Sequence, residues 1–342
     1  MTPELAKKRN RPTKSTDWIA ANGSHDHLGQ GSPPQPLQTI RWRLADDTTV
    51  GLALVAATQR LASNGVDSPK LDSEVLLGYV LGSSRAQLYA HPERLLSENE
   101  RQSLERLVVR RCQQEPVAYL VGEKAFYGLD FFVDQRVLIP RPETELLVDM
   151  VLDVALQFDS LRPNGHNGIG PAAGRFLVAD IGTGSGAVSV ALAANSDNTF
   201  IYAVDISQDA LEVAQANARR HGLESRIQFL HGDLLSPLPT PVDVIVANLP
   251  YVAVHEWSEL APGIVNYEPP QALLGGADGL DFISRLLQQA PDYLKPGGVV
   301  LLEIGASQGS AVGELARSRF PDALIEVLTD YAFRERIVRI QT

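Results

Sequence analysis

The second half of the chain alternates between two hydrophobic periods, and this constrains the fold more than any other feature. Strand-like runs at Phe176 to Ile181, Phe200 to Asp205, Ile227 to Leu230, Val242 to Asn248, Val299 to Ile304 and Ala323 to Leu328 are interleaved with helical patterns at Ala187 to Ala194, Gln208 to His221, Leu280 to Tyr293 and Ser307 to Arg317. Ser207 caps the second of these helical patterns and Gly222 stops it. Strands alternating with helices imply a parallel sheet covered on both faces. A last strand near Arg336 to Ile340 follows its predecessor too closely for a parallel crossover, which needs about a dozen residues, so it is expected to run antiparallel.

At 342 residues the chain is longer than one average domain, and a boundary is expected upstream of this alternation. Residues 1–48 are rich in Pro, Gly, Ser and Asn without a sustained apolar period, and are expected to be a flexible extension. Helical spacing then takes over at Leu52, Val55, Ala56 and Leu61, at Leu71, Val75, Leu76, Val80 and Leu81, and at Leu104, Leu107 and Val108, giving a small helical domain over residues 49–122. Residues 123–142, with Ala125 to Val133 aromatic and β-branched around Gly128, read as a hairpin linker. Residues 143–342 form the α/β domain, with a mobile loop expected at Pro163 to Gly174.

The net charge of -11 argues against a tight, non-specific grip on nucleic acid, because the basic positions of residues 1–50 do not extend into an acidic remainder. No run approaches the ~18 uncharged apolar residues of a membrane span and no secretory signal is visible, so a cytoplasmic protein is expected. The single cysteine, Cys112, reads as an apolar side chain, and the scattered histidines lack ligand spacing, so no metal site is expected.

Chemistry concentrates at the strand ends. The first strand closes in Asp180-Ile181-Gly182-Thr183-Gly184-Ser185-Gly186-Ala187 and runs straight into a helix, where glycines let a ligand approach backbone N–H groups. The loop fits a dinucleotide fingerprint through Gly182, Gly184 and Ala187, and equally S-adenosylmethionine, whose amino group needs a carboxylate such as Asp180. Asp205 ends the next strand within reach of ribose hydroxyls, and Asp233 and Leu234 end the third, near an adenine amino group and face. Each acid alone could equally be a helix or turn cap. Asn248-Leu249-Pro250-Tyr251, directly after an apolar strand, favours methyl transfer to nitrogen. An amide or exocyclic amine is a poor nucleophile because its lone pair is delocalised. If the Asn248 side-chain oxygen and the Leu249 carbonyl each accept one N–H, the nitrogen can pyramidalise while Tyr251 stacks on the flat group.

The chain resembles the HemK/PrmC family of methyltransferases over about residue 51 to the C-terminus. The resemblance rests on Arg110-Arg111, Glu115 to Gly122, Leu138-Ile139-Pro140-Arg141-Pro142-Glu143-Thr144-Glu145, the glycine loop, Asn248 to Tyr251, Glu268-Pro269, Gly279, Pro296-Gly297-Gly298 and Glu303-Ile304-Gly305. It implies a Rossmann-like class I methyltransferase, α/β with a seven-stranded sheet whose last strand is antiparallel, preceded by a small helical domain that selects the substrate. The implied cofactor is S-adenosylmethionine, contacted by Gly182 to Gly186, Asp205 and Leu234, with Asp180, Asp233 and Asn248 nearby. The implied reaction methylates the glutamine side-chain amide in the Gly-Gly-Gln loop of class 1 peptide chain release factors, held by Asn248 to Tyr251. Leu249 stands where the family usually has proline; its carbonyl is retained, and its position before Pro250 keeps it extended. A ribosomal-protein glutamine methyltransferase would share the same parts. Adenine N6 methylation is disfavoured by the acidic charge, a non-catalytic binder by the intact motifs, and a dehydrogenase by Asn248 to Tyr251. No stable nucleic-acid or membrane association is expected.

Overall fold

The computed structural model describes residues 42–161 and 174–342. Residues 1–41 of the extension expected over residues 1–48, and residues 163–173 of the loop expected at Pro163 to Gly174, lie outside the described residues.

Five helices open the described chain: α1 (Val50–Ala62), α2 (Pro69–Leu81), α3 (Arg85–Ala90), α4 (Glu98–Cys112) and α5 (Val117–Val121). Their starts follow from capping chemistry. Ser84 and Ser97 each accept from the third backbone N–H of their helix, while Gln87 and Glu100 return a bond to the cap. The core face of α1 differs from the expected one. Leu61 is buried as expected, but Leu52 and Val55 are 58% and 56% exposed, and Val50, Ala53 and Ala57 are buried instead. Almost every position from Val50 to Ala57 is apolar, so periodicity cannot choose a face; α2 and α4 pack on the side where alanines let backbones approach. Trp42 and Leu44, assigned to the extension on sequence, pack against this core, with Leu44 N–H donating to Glu105 at 2.7 Å. Packing in the described chain therefore starts ahead of Thr49, because Leu44 and Asp46 are tied to Glu105 and Arg101 of α4.

The hairpin forms as β1 (Glu123–Phe126) and β2 (Leu129–Phe132). It is more than a linker, since Phe126, Phe131 and Val133 are buried in the core of the α/β domain. Asn217 locks it there: Phe132 N–H donates to Asn217 Oδ1 at 2.8 Å, and Asn217 Nδ2 donates to Phe132 O at 2.9 Å.

The α/β domain comprises α6 (Glu145–Leu161), β3 (Phe176–Ile181), α7 (Ala187–Asn195), β4 (Thr199–Asp205), α8 (Gln208–Arg220), β5 (Ile227–His231), β6 (Val242–Ala247), α9 (Pro262–Tyr267), α10 (Asp281–Tyr293), β7 (Leu294–Glu303), α11 (Gly309–Arg319), β8 (Leu324–Thr329) and β9 (Glu335–Gln341). The sheet order is β5-β4-β3-β6-β7-β9-β8, with β9 antiparallel to both its neighbours and the other pairs parallel. This is the class I methyltransferase arrangement that the alternation implied. Two apolar layers line the sheet, one built from α6, α7 and α8 and the other from α10 and α11. Register pairs Ile181 with Val204 and with Ala247, so the loop after β3, Asp205 and Asn248 emerge side by side. The chain order reverses between β3 and β6, where open α/β sheets bind ligands. No helix among the described residues is long and apolar enough to cross a membrane.

Candidate active site

A cavity of about 330 Å³ opens at this switch point. Its wall carries Asp180 to Ser185, Asp205, Asp233, Leu234, Asn248, Leu249 and Pro250, so nearly all the residues singled out from sequence meet in one place. Gly186 and Tyr251 are not part of the wall.

The glycine loop has the backbone that glycine alone adopts without strain. Gly182 sits at φ +73°, and a Cβ there would stand 3.2 Å from Leu249 Cδ2. Leu249 is 5% exposed and fills this gap, so a leucine serves as packing against the loop. Gly186 at φ +77° begins α7, and a Cβ there would meet Ala214 Cβ at 3.0 Å. Its role is to seat α7 on α8.

The three acids on the wall already have partners. Asp180 Oδ2 accepts from Thr183 Oγ1 at 2.7 Å and from Ser189 Oγ at 2.6 Å, and burial raises its carboxyl above the usual range. Asp205 accepts Gly184 N–H at 2.8 Å and Ser207 N–H at 2.9 Å, one on each oxygen; burial again raises its carboxyl, against the pull of these amides. It thus ties the glycine loop to the start of α8. Asp233 is paired with Arg285 of α10, whose guanidinium also lies over the Phe282 ring. Leu234 is buried at φ +50° beside it.

Asn248 follows β6 directly, and its Nδ2 donates to Thr144 Oγ1 at 3.1 Å. Tyr251 turns aside instead of facing the cavity. Its hydroxyl lies 3.5 Å from Glu303 Oε1, its carbonyl accepts from Gln308 Nε2 at 3.0 Å, and burial pushes its hydroxyl up to about 12.

Sequence reasoning assigned no role to Thr144, Arg141, Glu268 or Glu303, although all four lie in segments that carry the family resemblance. Thr144 and Arg141 line the cavity. Glu268, 3% exposed, accepts Ile139 N–H at 3.1 Å and pairs with Arg141 at 2.5 Å. Glu303, 2% exposed, accepts Thr144 Oγ1 at 2.7 Å. Two buried acids from distant segments therefore clamp one turn, residues 139–144. The available signal was an acid closing an otherwise apolar strand, Val299 to Glu303.

Residues 53–122 match the PrmC N-terminal domain, and residues 176–325 match a methyltransferase domain. A release factor glutamine methyltransferase from Bacillus cereus is 39% identical over 84% of this chain and 96% of its own length. One from Moorella thermoacetica is 41% identical over the same shares, 84% and 96%. Among solved structures, a methyltransferase from Pyrococcus furiosus shares 18% identity with a TM-score of 0.43, over 64% of this chain and 91% of that one.

Proposed function

The chain belongs to the release factor glutamine methyltransferase family, and from that membership we propose that it methylates the side-chain amide nitrogen of the glutamine in the Gly-Gly-Gln loop of class 1 peptide chain release factors. It is an S-adenosylmethionine-dependent protein glutamine methyltransferase. The wall of the cavity suits that cofactor: a left-handed glycine turn at Gly182 and Gly184 opens backbone to a ligand, with Asp205 and Leu234 beside it. Asp180, Gly182 to Gly186, Asp205, Asp233, Leu234 and Asn248 are the residues assigned to it, Gly186 by seating the helix behind the loop and Asp233 together with Arg285. When bound, S-adenosylmethionine supplies an electrophilic methyl group on a sulfonium.

Asn248 and the Leu249 carbonyl do the orienting. Each accepts one N–H of the glutamine amide, which turns the nitrogen lone pair out of conjugation and toward the methyl donor. Pro250 stiffens the turn. Tyr251 anchors the end of the turn through Glu303 and Gln308. An alkylated amide nitrogen is strongly acidic and loses a proton to water, so no dedicated base is required. The acids on the wall are in any case engaged with hydroxyls, backbone amides or Arg285. Oriented approach can supply roughly 7–11 kcal/mol, more than the ~10²–10⁴-fold of proton transfer, so positioning dominates.

The observation that carries this reading is the meeting of Asn248 and the glycine loop in one cavity. Residues 49–122 are proposed to select the protein substrate. They are joined to the segment that precedes Pro269 and Gln271 of the wall, because Tyr267 Oη donates to Gln113 O at 3.1 Å. Incubating a purified release factor with the protein and S-adenosylmethionine should add a single methyl to the Gly-Gly-Gln tryptic fragment, as read by mass spectrometry. A methyl found only on a ribosomal protein or on adenine would overturn the assignment.

A further inference from the structure

The Asn248 carboxamide has two edges of like shape and opposite hydrogen-bonding character, and only its oxygen edge can accept a proton from a substrate amide. The side chain behind it decides which edge is presented. Asn248 Nδ2 lies 3.1 Å from Thr144 Oγ1, which lies 2.7 Å from Glu303 Oε2. A threonine hydroxyl has one proton to give. When that proton goes to the Glu303 carboxylate, which can only accept, Thr144 meets Asn248 with a lone pair. The amide nitrogen must then face Thr144, and Oδ1 is left for the substrate. A protonated Glu303 can donate instead, which frees the Thr144 proton to point at Asn248 and select the opposite edge.

We propose that Glu303 and Thr144 form a positioning relay that sets which edge of the Asn248 carboxamide meets the substrate amide, an inference that rests on the glutamine methyltransferase reading above. Both act through Asn248, the residue that meets the substrate amide. Glu303 closes β7 and is faced by Thr144 and Glu143 from the turn before α6, by Tyr251 from the loop after β6 and by Arg336 from β9. Burial pushes its carboxyl up to about 7; Glu143 adds to the rise, while Thr144, Arg336 and Tyr251 oppose it. The productive edge needs the ionised form, so turnover falls as pH drops through this value.

The test compares Thr144→Val, which keeps the shape and removes the hydroxyl, with Thr144→Ser, which restores it. Methylglutamine formation is followed as kcat and KM on both sides of neutrality. In Thr144→Val, kcat should fall roughly tenfold, the weight of one charge-assisted hydrogen bond, with the KM for release factor little changed and the acidic limb of the profile gone. Thr144→Ser should recover most of the rate together with the limb. A Thr144→Val enzyme with wild-type kcat and an intact acidic limb overturns the relay. If that variant does not fold, Glu303→Gln decides: a profile flat across neutrality supports the relay, and a preserved acidic limb overturns it. Wild type that makes no methylglutamine overturns the function reading and the relay with it, an outcome distinct from normal wild-type turnover with unresponsive variants.

Discussion

Asn248 and Asp205 end the two strands that flank β3, yet they are tied to different machinery. The Asp205 carboxylate holds the backbone amides of Gly184 and Ser207, whereas Asn248 is backed by Thr144 and Glu303. Their removal should therefore separate binding from chemistry. Asn248→Ala is expected to lower kcat by about 10²-fold or more while leaving cofactor affinity largely intact, since an acceptor that tightens only in the transition state costs turnover. Asp205→Ala should do the reverse, because the glycine loop loses its anchor. Calorimetric titration of S-adenosylmethionine on both variants checks the pair; equal loss of affinity in the two would refute the assigned roles.

The turn at residues 139–144 is an element held almost entirely by distant partners. Glu268 accepts Ile139 N–H and pairs with Arg141, while Glu303 accepts the Thr144 hydroxyl. Glu268 is nearly sealed from water, so Arg141→Ala would leave a buried carboxylate with a backbone amide and no cation. Breaking a buried pair from one side costs on the order of 3 kcal/mol. Urea unfolding should show that loss in Arg141→Ala, and Arg141→Ala with Glu268→Gln should regain much of it, because the second change removes the stranded charge. A double variant as unstable as the single one would show that packing, not charge, holds the turn.

At the scale of the whole molecule, the helical domain and the α/β domain meet through the hairpin and through α9. Since Trp42 and Leu44 pack on the helical core, a chain starting at Trp42 should methylate intact release factor at the full-length rate. Since Phe126 and Phe131 belong to the α/β core, the shorter chain must start at Glu123 to keep that core closed. It should still bind S-adenosylmethionine by calorimetry but lose methylation of release factor. Full activity in the shorter chain would remove the recognition role from residues 49–122, and a marked loss in the longer one would assign a part to residues 1–41.

The sequence alone determined the α/β alternation, the antiparallel last strand and the places where the cavity-lining residues emerge, since these depend on local period, connection length and strand ends. It also carried the family resemblance, in runs of adjacent residues. Only the tertiary structure decided which face of α1 is buried, that Leu249 packs on Gly182, that Asp233 pairs with Arg285 and that Tyr251 turns to Glu303. Thr144 reaches Asn248 across 104 positions and Glu303 across 159. Such contacts arise because the sheet brings strand ends to one edge. A hydrogen bond between residues so far apart in the chain leaves no periodic trace along it, so the backing of Asn248 becomes visible only once the strands are paired.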